Sequence, residues 1–524
     1  MTTFCAPIGP LHKVHLVQPH GANAAIRLEC AMQSVCADLV LQRLDPDPAL
    51  PRNRALYACL RSAILDGTLA PLSRLPASRD LAREIRLSRN TVMHAYDQLL
   101  AEGYVLSRVG SGTFVAATAP DRLLDTPSAQ AAASPGHAAT GLSQRARNLL
   151  AQPAASLCQW GAFMPGVPDV TQFPNRHFAR ALSRLWRSPD PTLLTYGAGG
   201  GHAALREALT AYLRVARGVH CEPGQILVTE GVHQAIDLAA RMLADVGDAA
   251  WVENPGYWGI RQVLRMNGLH VQGMPVDEHG MRLPEDGTDA PRLIVVTPSH
   301  QYPLGAVMSL PRRQALLAFA RRTGAWVLED DYDSEFRFGG HPVPAVQGLE
   351  TDAPVIYIGT FSKTLFPGLR VGYMVLPVAL ADAFRSAHAD LYREGHGMTH
   401  LALAELLQEG HYAAHIRRMR VLYGRRRSLL ARLIREHLGD AYLGEHDSNA
   451  GLHLMLRLPD TVDDAALAQA LQARGILTRP LSRYYVGSTA ARGLLLGYAS
   501  VPEPEIVAGF WTLRETLRGW PGMA

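Results

Sequence analysis

The chain has 524 residues, 48% of them hydrophobic and 19% charged, with a net charge of +4; this is the composition of a folded globular protein, not of a disordered or fibrous one. No apolar run is long enough to cross a bilayer, and the N-terminus lacks a basic segment followed by an apolar core, so neither a membrane partner nor secretion is expected. Six cysteines are scattered with no CxxC pair, which argues against structural zinc, any other metal centre or a disulfide framework and points to a reducing cytoplasm.

Residues 1–50 show no regular pattern beyond a short helix expected across Cys30–Leu44, and read as an N-terminal extension that need not be ordered. His12, His15 and His20 lie there without a surrounding fold signal and are read as incidental. Residues 51–115 form a compact basic module, with nine arginines against five acids, a net of +4 that leaves the remainder neutral on balance. A small basic module on a neutral body suggests contact with nucleic acid. Leu56, Leu60, Ala63 and Ile64 make one helical stripe that stops near Gly67 and Pro71. Ser78 is expected to cap a second helix, Arg79–Ile85, and Ser88 a third, Arg89–Ala101. Only Arg86 and Leu87 separate the second helix from the second cap, so the pair reads as a helix-turn-helix. Residues 103–107 and 112–115 then read as two strands around the turn Arg108-Val109-Gly110-Ser111, a wing.

The N-terminus of the third helix carries Arg89, Asn90, Thr91 and His94, beside Ser88. Arginine pairs with guanine and asparagine with adenine in the major groove, while hydroxyls and helix N-terminal amides take phosphates. Arg79, Arg108 and Gly110 complete the candidate contacts to double-stranded DNA. The runs Leu56–Pro71, Leu75–Arg79, Ser88–Val92, Glu102-Gly103-Tyr104 and Gly110–Val115 resemble the GntR-type winged helix over the whole module. One departure is Ser73, where that family usually has glycine.

Residues 116–157 are rich in Ala, Pro, Ser and Thr and read as a flexible linker. From residue 158 to 524 strand-like apolar runs (Gln225–Thr229, Leu293–Thr297, Ala325–Leu328, Val355–Ile358) alternate with helical stretches such as His202–Val215 and Leu310–Arg322. That alternation predicts a large α/β domain with a mainly parallel sheet covered on both faces.

Lysine is nearly absent. Only Lys13 and Lys363 occur among 51 basic residues. Arginine replaces lysine as a surface charge but not as an amine nucleophile. Lys363 stands in Gly359–Arg370, among hydroxyls, a glycine and an arginine. Its neighbours point to a Schiff base with a carbonyl cofactor, above all pyridoxal 5′-phosphate (PLP). Glu329–Phe336 places acids just after a fully apolar strand, where α/β ligand sites lie. Gly231, Val232 and His233 open a helix after another strand, a geometry suited to an anion.

The large domain resembles the fold-type I PLP-dependent aminotransferases, and its pairing with a GntR-type module resembles the MocR/GabR-type regulators, over nearly all of residues 51–524. The resemblance implies that Lys363 carries PLP and that Asp330, with Asp331 as rival, partners the pyridinium. It further implies that Tyr332 reaches the ring O3′, that Tyr257 stacks on the ring, and that Thr360, Ser362, Arg370 and the Gly231–His233 segment hold the phosphate. Tyr196 corresponds to the tyrosine that reaches the phosphate of a partner subunit, which implies a homodimer. Tyr302 stands where transaminases usually carry an O3′-binding asparagine, leaving His300 as the polar substitute. Arg479 and Arg483 are the candidates for an effector carboxylate. The expectation is a DNA-binding transcriptional regulator that senses an amino compound by external aldimine formation, with at most weak or vestigial transamination. The alternative is a working aminotransferase with a tethered DNA-binding module.

Overall fold

The computed structural model describes residues 36–44, 50–108, 110–117, 141–151, 159–284, 290–339, 344–443, 449–488 and 491–523. Lys13 and the histidines at 12, 15 and 20 lie outside them. The chain divides into two compact units, Met1–Ala138 and Ala139–Ala524.

In the first unit α1 (residues 36–43) precedes α2 (Arg52–Leu65), α3 (Ser78–Glu84) and α4 (Arg89–Ala101), followed by strands β1 (Val105–Arg108) and β2 (Gly112–Val115). The apolar stripe of α2 is buried with Leu81, Val92 and Leu99. The wing pairs antiparallel, Val105 opposite Val115 and Arg108 opposite Gly112. Residues 72–75 add to it, with Leu75 N donating to Thr113 O at 2.8 Å and Val115 N to Ser73 O at 2.8 Å. Ser88 caps α4, its side chain accepting from Thr91 N at 3.1 Å. Ser78 is not a cap: it is the first residue of α3, behind Ala77, and makes no capping bond. The extension is also less separate than its composition suggests. Cys36, Ala37, Leu39 and Val40 of α1 are buried in the module core, and Arg43 pairs with Asp66. The expected helix across Cys30–Leu44 is thus helical over residues 36–43, and residues 30–35 lie outside the described residues.

The second unit opens with α5 (Gln144–Leu150), capped by Ser143, inside the stretch read as linker. Its Arg145 donates to Met266 O at 3.1 Å. Ser143 at the cap and the Gln144–Asn148 hydrogen bond one turn on supply local helix signals, and the surrounding composition hides them. Then follow α6 (Asn175–Arg187), α7 (Ala203–Arg217), β3 (Ile226–Thr229), α8 (Val232–Leu243), β4 (Ala249–Asn254), α9 (Trp258–Met266), β5 (His270–Asp277), β6 (Gly280–Met281) and β7 (Leu293–Val296). After them come α10 (Leu310–Thr323), β8 (Trp326–Asp331), β9 (Val355–Thr360), β10 (Gly372–Val375), α11 (Val378–Tyr392), α12 (Gly397–Gln408) and the long α13 (His411–His437). A C-terminal part carries β11 (His453–Leu458), α14 (Asp464–Ala473), β12 (Arg479–Pro480), β13 (Arg492–Gly497) and α15 (Glu503–Arg518).

The central sheet has eight strands in the order β3-β10-β9-β8-β7-β4-β5-β6. Its inner pairs β5–β4–β7–β8–β9 are parallel, and β10 runs antiparallel between β9 and β3. β3, β7, β9 and β10 are buried along their whole length, as continuous Val/Ile/Leu runs require when helices cover both faces. Antiparallel β11, β13 and β12 form a smaller sheet. Arg261 on α9 ties the segment after β12 to the large sheet domain, donating to Tyr484 O at 3.0 Å, Tyr485 O at 2.6 Å and Arg483 O at 3.0 Å.

A buried ion pair joins α7 to the sheet: Arg217 Nε to Asp331 Oδ2 at 2.6 Å. Burial alone would lower the Arg217 pKa, but Asp331 beside it holds the guanidinium above its usual range. Arg217→Met strands Asp331 without its cation and is expected to cost roughly 3–5 kcal/mol. Arg217→Met combined with Asp331→Leu should recover most of that loss, as read from urea unfolding midpoints of the full-length protein.

Candidate functional site

The ends of β7, β8 and β9 point into a cavity of about 270 Å³. The first residues beyond or at those ends supply its chemistry, as the open α/β architecture dictates. Thr297 follows β7, Asp330 lies next to the last residue of β8, and Thr360, Ser362 and Lys363 end β9 or follow it; all line the cavity. Lys363 Nζ donates to Gly166 O at 2.7 Å. Burial lowers its pKa, opposed by Asp333 and Asp330, so more of the amine is in its neutral, nucleophilic form.

Asp330 and Asp331 divide their tasks because side chains on a strand alternate faces. Asp331 turns away from the cavity to Arg217, and its Oδ2 also accepts from Ser334 Oγ at 2.9 Å and Tyr357 Oη at 2.6 Å. Asp330 turns into the cavity. Its Oδ1 is buried with no hydrogen-bond partner. Burial, then Asp331, pushes its carboxyl up to about 8 against the pull of Lys363.

At the other end lie Val232, His233, Thr360, Ser362 and Arg370. Gly231 has φ +102, and a Cβ there would sit 3.3 Å from Arg370 Nη2. The glycine therefore leaves room beside the guanidinium, next to the first-turn amides of α8, which a helix leaves without internal acceptors. Arg370 itself is exposed and adopts a left-handed backbone, φ +54, a conformation that a non-glycine residue rarely holds without need. Thr360 Oγ1 accepts from Ser362 N at 3.1 Å and donates to Ser362 Oγ at 3.0 Å, which orients both hydroxyls. His233 Nε2 lies 3.2 Å from Tyr257 Oη, and burial, then Arg370 and Lys363, keeps its pKa low.

An aromatic wall closes one side. Tyr257 and Tyr302 meet edge to face at 5.8 Å, Tyr302 and Tyr332 at 5.7 Å, and Tyr302 and Tyr484 at 5.3 Å. Tyr302 Oη is 3.0 Å from Tyr484 Oη. Sequence reasoning missed Gly166, Thr297, Trp258 and Tyr484 as lining residues; only the order of the chain in space brings them here.

Three expected site residues lie elsewhere. His300 does not line the cavity. It is buried behind Tyr332, with Nδ1 2.9 Å from Tyr332 Oη and 3.0 Å from Asp333 Oδ2, because the buried acid on β8's continuation attracts the imidazole. Arg479 lines the cavity and donates to Thr478 O at 3.2 Å, whereas Arg483 stacks over Trp258 at 5.4 Å. Tyr196 is 74% exposed, under Arg393 at 5.5 Å, away from the cavity of its own chain.

In the first unit Arg89, Asn90 and His94 are exposed on the first turns of α4, Arg79 is exposed on α3, and Thr91 is half-buried against Ser88. Arg108 and Gly110 are exposed at the wing, with Arg108 over Phe114 at 5.2 Å. Arg74, which the sequence reading passed over, lies against the wing at Gly112.

The sequence model for bacterial regulatory proteins of the gntR family matches residues 52–115, and that for aminotransferase class I and II matches residues 169–503. The probable rhizopine catabolism regulatory protein MocR of Rhizobium meliloti is 42% identical over 475 residues, covering 90% of this chain and 95% of that protein. The chain belongs to the MocR-type transcriptional regulators. The HTH-type transcriptional regulator TauR of Rhodobacter capsulatus is 33% identical, covering 88% of this regulator and 96% of TauR. The solved structure of LysN, the α-aminoadipate aminotransferase of Thermus thermophilus complexed with N-(5′-phosphopyridoxyl)-L-leucine, superposes with a TM-score of 0.63 at 26% identity, covering 72% of this chain and 95% of LysN.

A phosphopyridoxyl group suits this regulator's cavity on its own geometry. The unpartnered Asp330 Oδ1 would accept from a ring N–H, Lys363 would supply the amine, and the Gly231–Arg370 cradle would take the anion end. A carboxyl whose folded-state pKa lies above its unfolded value makes stability fall as pH rises between the two, here from 3.8 to about 8. Asp330→Asn should therefore flatten the pH dependence of apo-protein stability across that window. It should also weaken PLP affinity by about 2–5 kcal/mol, as measured by fluorescence titration.

Proposed function

We propose that this regulator holds PLP on Lys363 and changes its action on DNA when an amino compound takes the lysine's place. The observation that carries the reading is the convergence of Lys363, the unpartnered Asp330 carboxyl, the Gly231–Arg370 cradle and Arg479 on one cavity. PLP, when bound, supplies an aldehyde carbon that condenses with primary amines and a ring that withdraws electrons. Asp330 keeps a proton at the ring nitrogen, and its cost of ionising while buried falls once that cation lies beside it. Tyr257 and Tyr302 exclude water from the ring face. Tyr332 offers its hydroxyl to the ring oxygen and is itself oriented by His300. Thr360, Ser362, Arg370 and the amides of Val232 and His233 bind the phosphate. Arg479 suits a carboxylate on the effector, which favours an amino acid over a simple amine, with Arg483 as a second cation nearby.

The proposal includes a homodimer, in which Tyr196 of the partner subunit reaches the phosphate; its exposed ring, remote from its own cavity, suits that task. It includes a cytoplasmic site of action, a winged helix over residues 51–115 and a tether over part of residues 116–157. Working transamination is the second reading, favoured by the intact Lys363 and Asp330. Tyr302 weighs against it, since its hydroxyl is committed to Tyr484 rather than offered as an amide.

On DNA, Arg89 is assigned to a base edge and Arg108 to a phosphate. Arg89→Ala should cost roughly 1–3 kcal/mol on the cognate site and relax specificity there. Arg108→Ala should weaken all sequences alike and reduce the salt slope by about one. Footprinting and salt titrations decide; an unchanged footprint with Arg89→Ala would remove α4 from the groove.

Borohydride reduction of the PLP-treated protein should label Lys363, and Lys363→Ala should keep DNA binding while losing the response to effector. Reporter and transamination assays on the same variants separate the two readings. A response that tracks turnover across variants supports the enzyme, and a full response without turnover supports the regulator.

A further inference from the structure

The second unit contains another cavity, of about 280 Å³, on the Asp331 side of β8. Its wall combines the last turn of α7 with Ser299, His300, Glu335, Arg337 and Arg420. Of its three arginines, Arg217 is neutralised by Asp331 and also donates to Ser299 Oγ at 2.7 Å. Neither of the other two pairs with an acid among the described residues. Arg337 Nε is buried without a hydrogen-bond partner, and neither Arg337 nor Arg420 forms an ion pair among the described residues. Arg420 Nε donates only to the backbone carbonyl of Glu335, at 3.0 Å. The one carboxyl in the wall, Glu335, accepts from Tyr212 Oη at 3.0 Å. Burial, then Asp331, pushes it up to about 7, so it carries only part of a charge near neutrality. Burial, then Arg217, lowers the Arg337 pKa, as expected of a cation held close to another without a counter-charge.

Two guanidinium groups lining one cavity, with no carboxylate paired to either among the described residues, leave cationic donors there for an anion. Their forked donors match the oxygens of a carboxylate or a phosphate. We infer that this cavity is a binding site for a small oxyanion, a carboxylate or a phosphate monoester, separate from the cofactor cavity. His300 belongs to its wall, and His300 Nδ1 lies 2.9 Å from the hydroxyl of Tyr332, which lines the first cavity. An anion bound here is therefore two side chains away from the cofactor position.

The test uses the full-length protein, once untreated and once loaded with PLP and freed of excess by gel filtration. Inorganic phosphate and succinate are titrated separately by calorimetry at low ionic strength. The expected result is one anion per chain in the PLP-loaded protein, with affinity falling about tenfold or more in Arg337→Met and in Arg420→Ala, and unchanged in Arg518→Ala. Arg420 is exposed on α13, so its variant reports even where Arg337→Met folds poorly. Tighter binding of phosphate assigns the site to phosphate esters, and tighter binding of succinate assigns it to organic acids. Three results would each overturn the inference: no heat with either anion, equal affinity in wild type and Arg420→Ala, or binding that disappears on PLP loading, which would place the anion in the first cavity.

Discussion

Two adjacent acids at the end of β8 govern the larger unit. They sit on a strand, so they face opposite ways, and each is buried where an isolated charge is costly. Asp331 is stabilised by Arg217, which fixes the end of α7 against the sheet. Asp330 has no ion-pair partner of that kind among the described residues; its Oδ1 makes no hydrogen bond, and burial, then Asp331, disfavours its charged form. The structural acid thus raises the cost of charging the functional one, since Asp331 ranks next after burial among the influences that push Asp330 up to about 8. One pair of carboxylates both anchors a helix and leaves a buried acid facing the cavity.

The cavity depends equally on segments remote in sequence. Arg261 holds the Arg483–Tyr485 backbone, and Asn254 takes Val486 from both sides, accepting from its amide at 2.8 Å and donating to its carbonyl at 3.2 Å. Through these contacts the C-terminal part delivers Arg479 and Tyr484 to a site otherwise built from β7, β8 and β9. Backbone carbonyls bound by a buried guanidinium make a stiff junction. Displacement of Tyr484 by a ligand would be felt by Tyr302, which shares its hydroxyl contact, and then by Tyr257 and Tyr332 on either side. This aromatic chain joins the cavity wall to the segment after β12.

Much of this was legible along the chain. Continuous apolar runs identify buried strands because both faces of a parallel sheet are covered. Lys363, one of two lysines and set among hydroxyls and an arginine, stands out as the candidate amine, since guanidinium cannot replace it. The helix-turn-helix is equally local: its stripe, caps and turn all fall within 65 residues of one another. Where local signals conflicted, the reading slipped. Ser78 has the right residue type for a cap, but the helix begins on it. The alanine-rich stretch hid α5, and the sequence showed the helix of α1 but not its packing, since its apolar side chains find a core only when α2 is beside them.

The sequence by itself determined the two-part plan and the family and singled out Lys363 as the candidate amine, because these rest on periodicity and on residue chemistry carried within short segments. Only the tertiary structure turned Asp330 into the cavity and Asp331 away from it to Arg217, placed His300 behind Tyr332, and set Arg479 rather than Arg483 in the cavity wall. It also assembled the arginine-lined second cavity from segments between residues 212 and 450. Those outcomes depend on which way a side chain points and on what lies opposite it across a sheet. Neither quantity is local, since both follow from how distant elements share one buried volume.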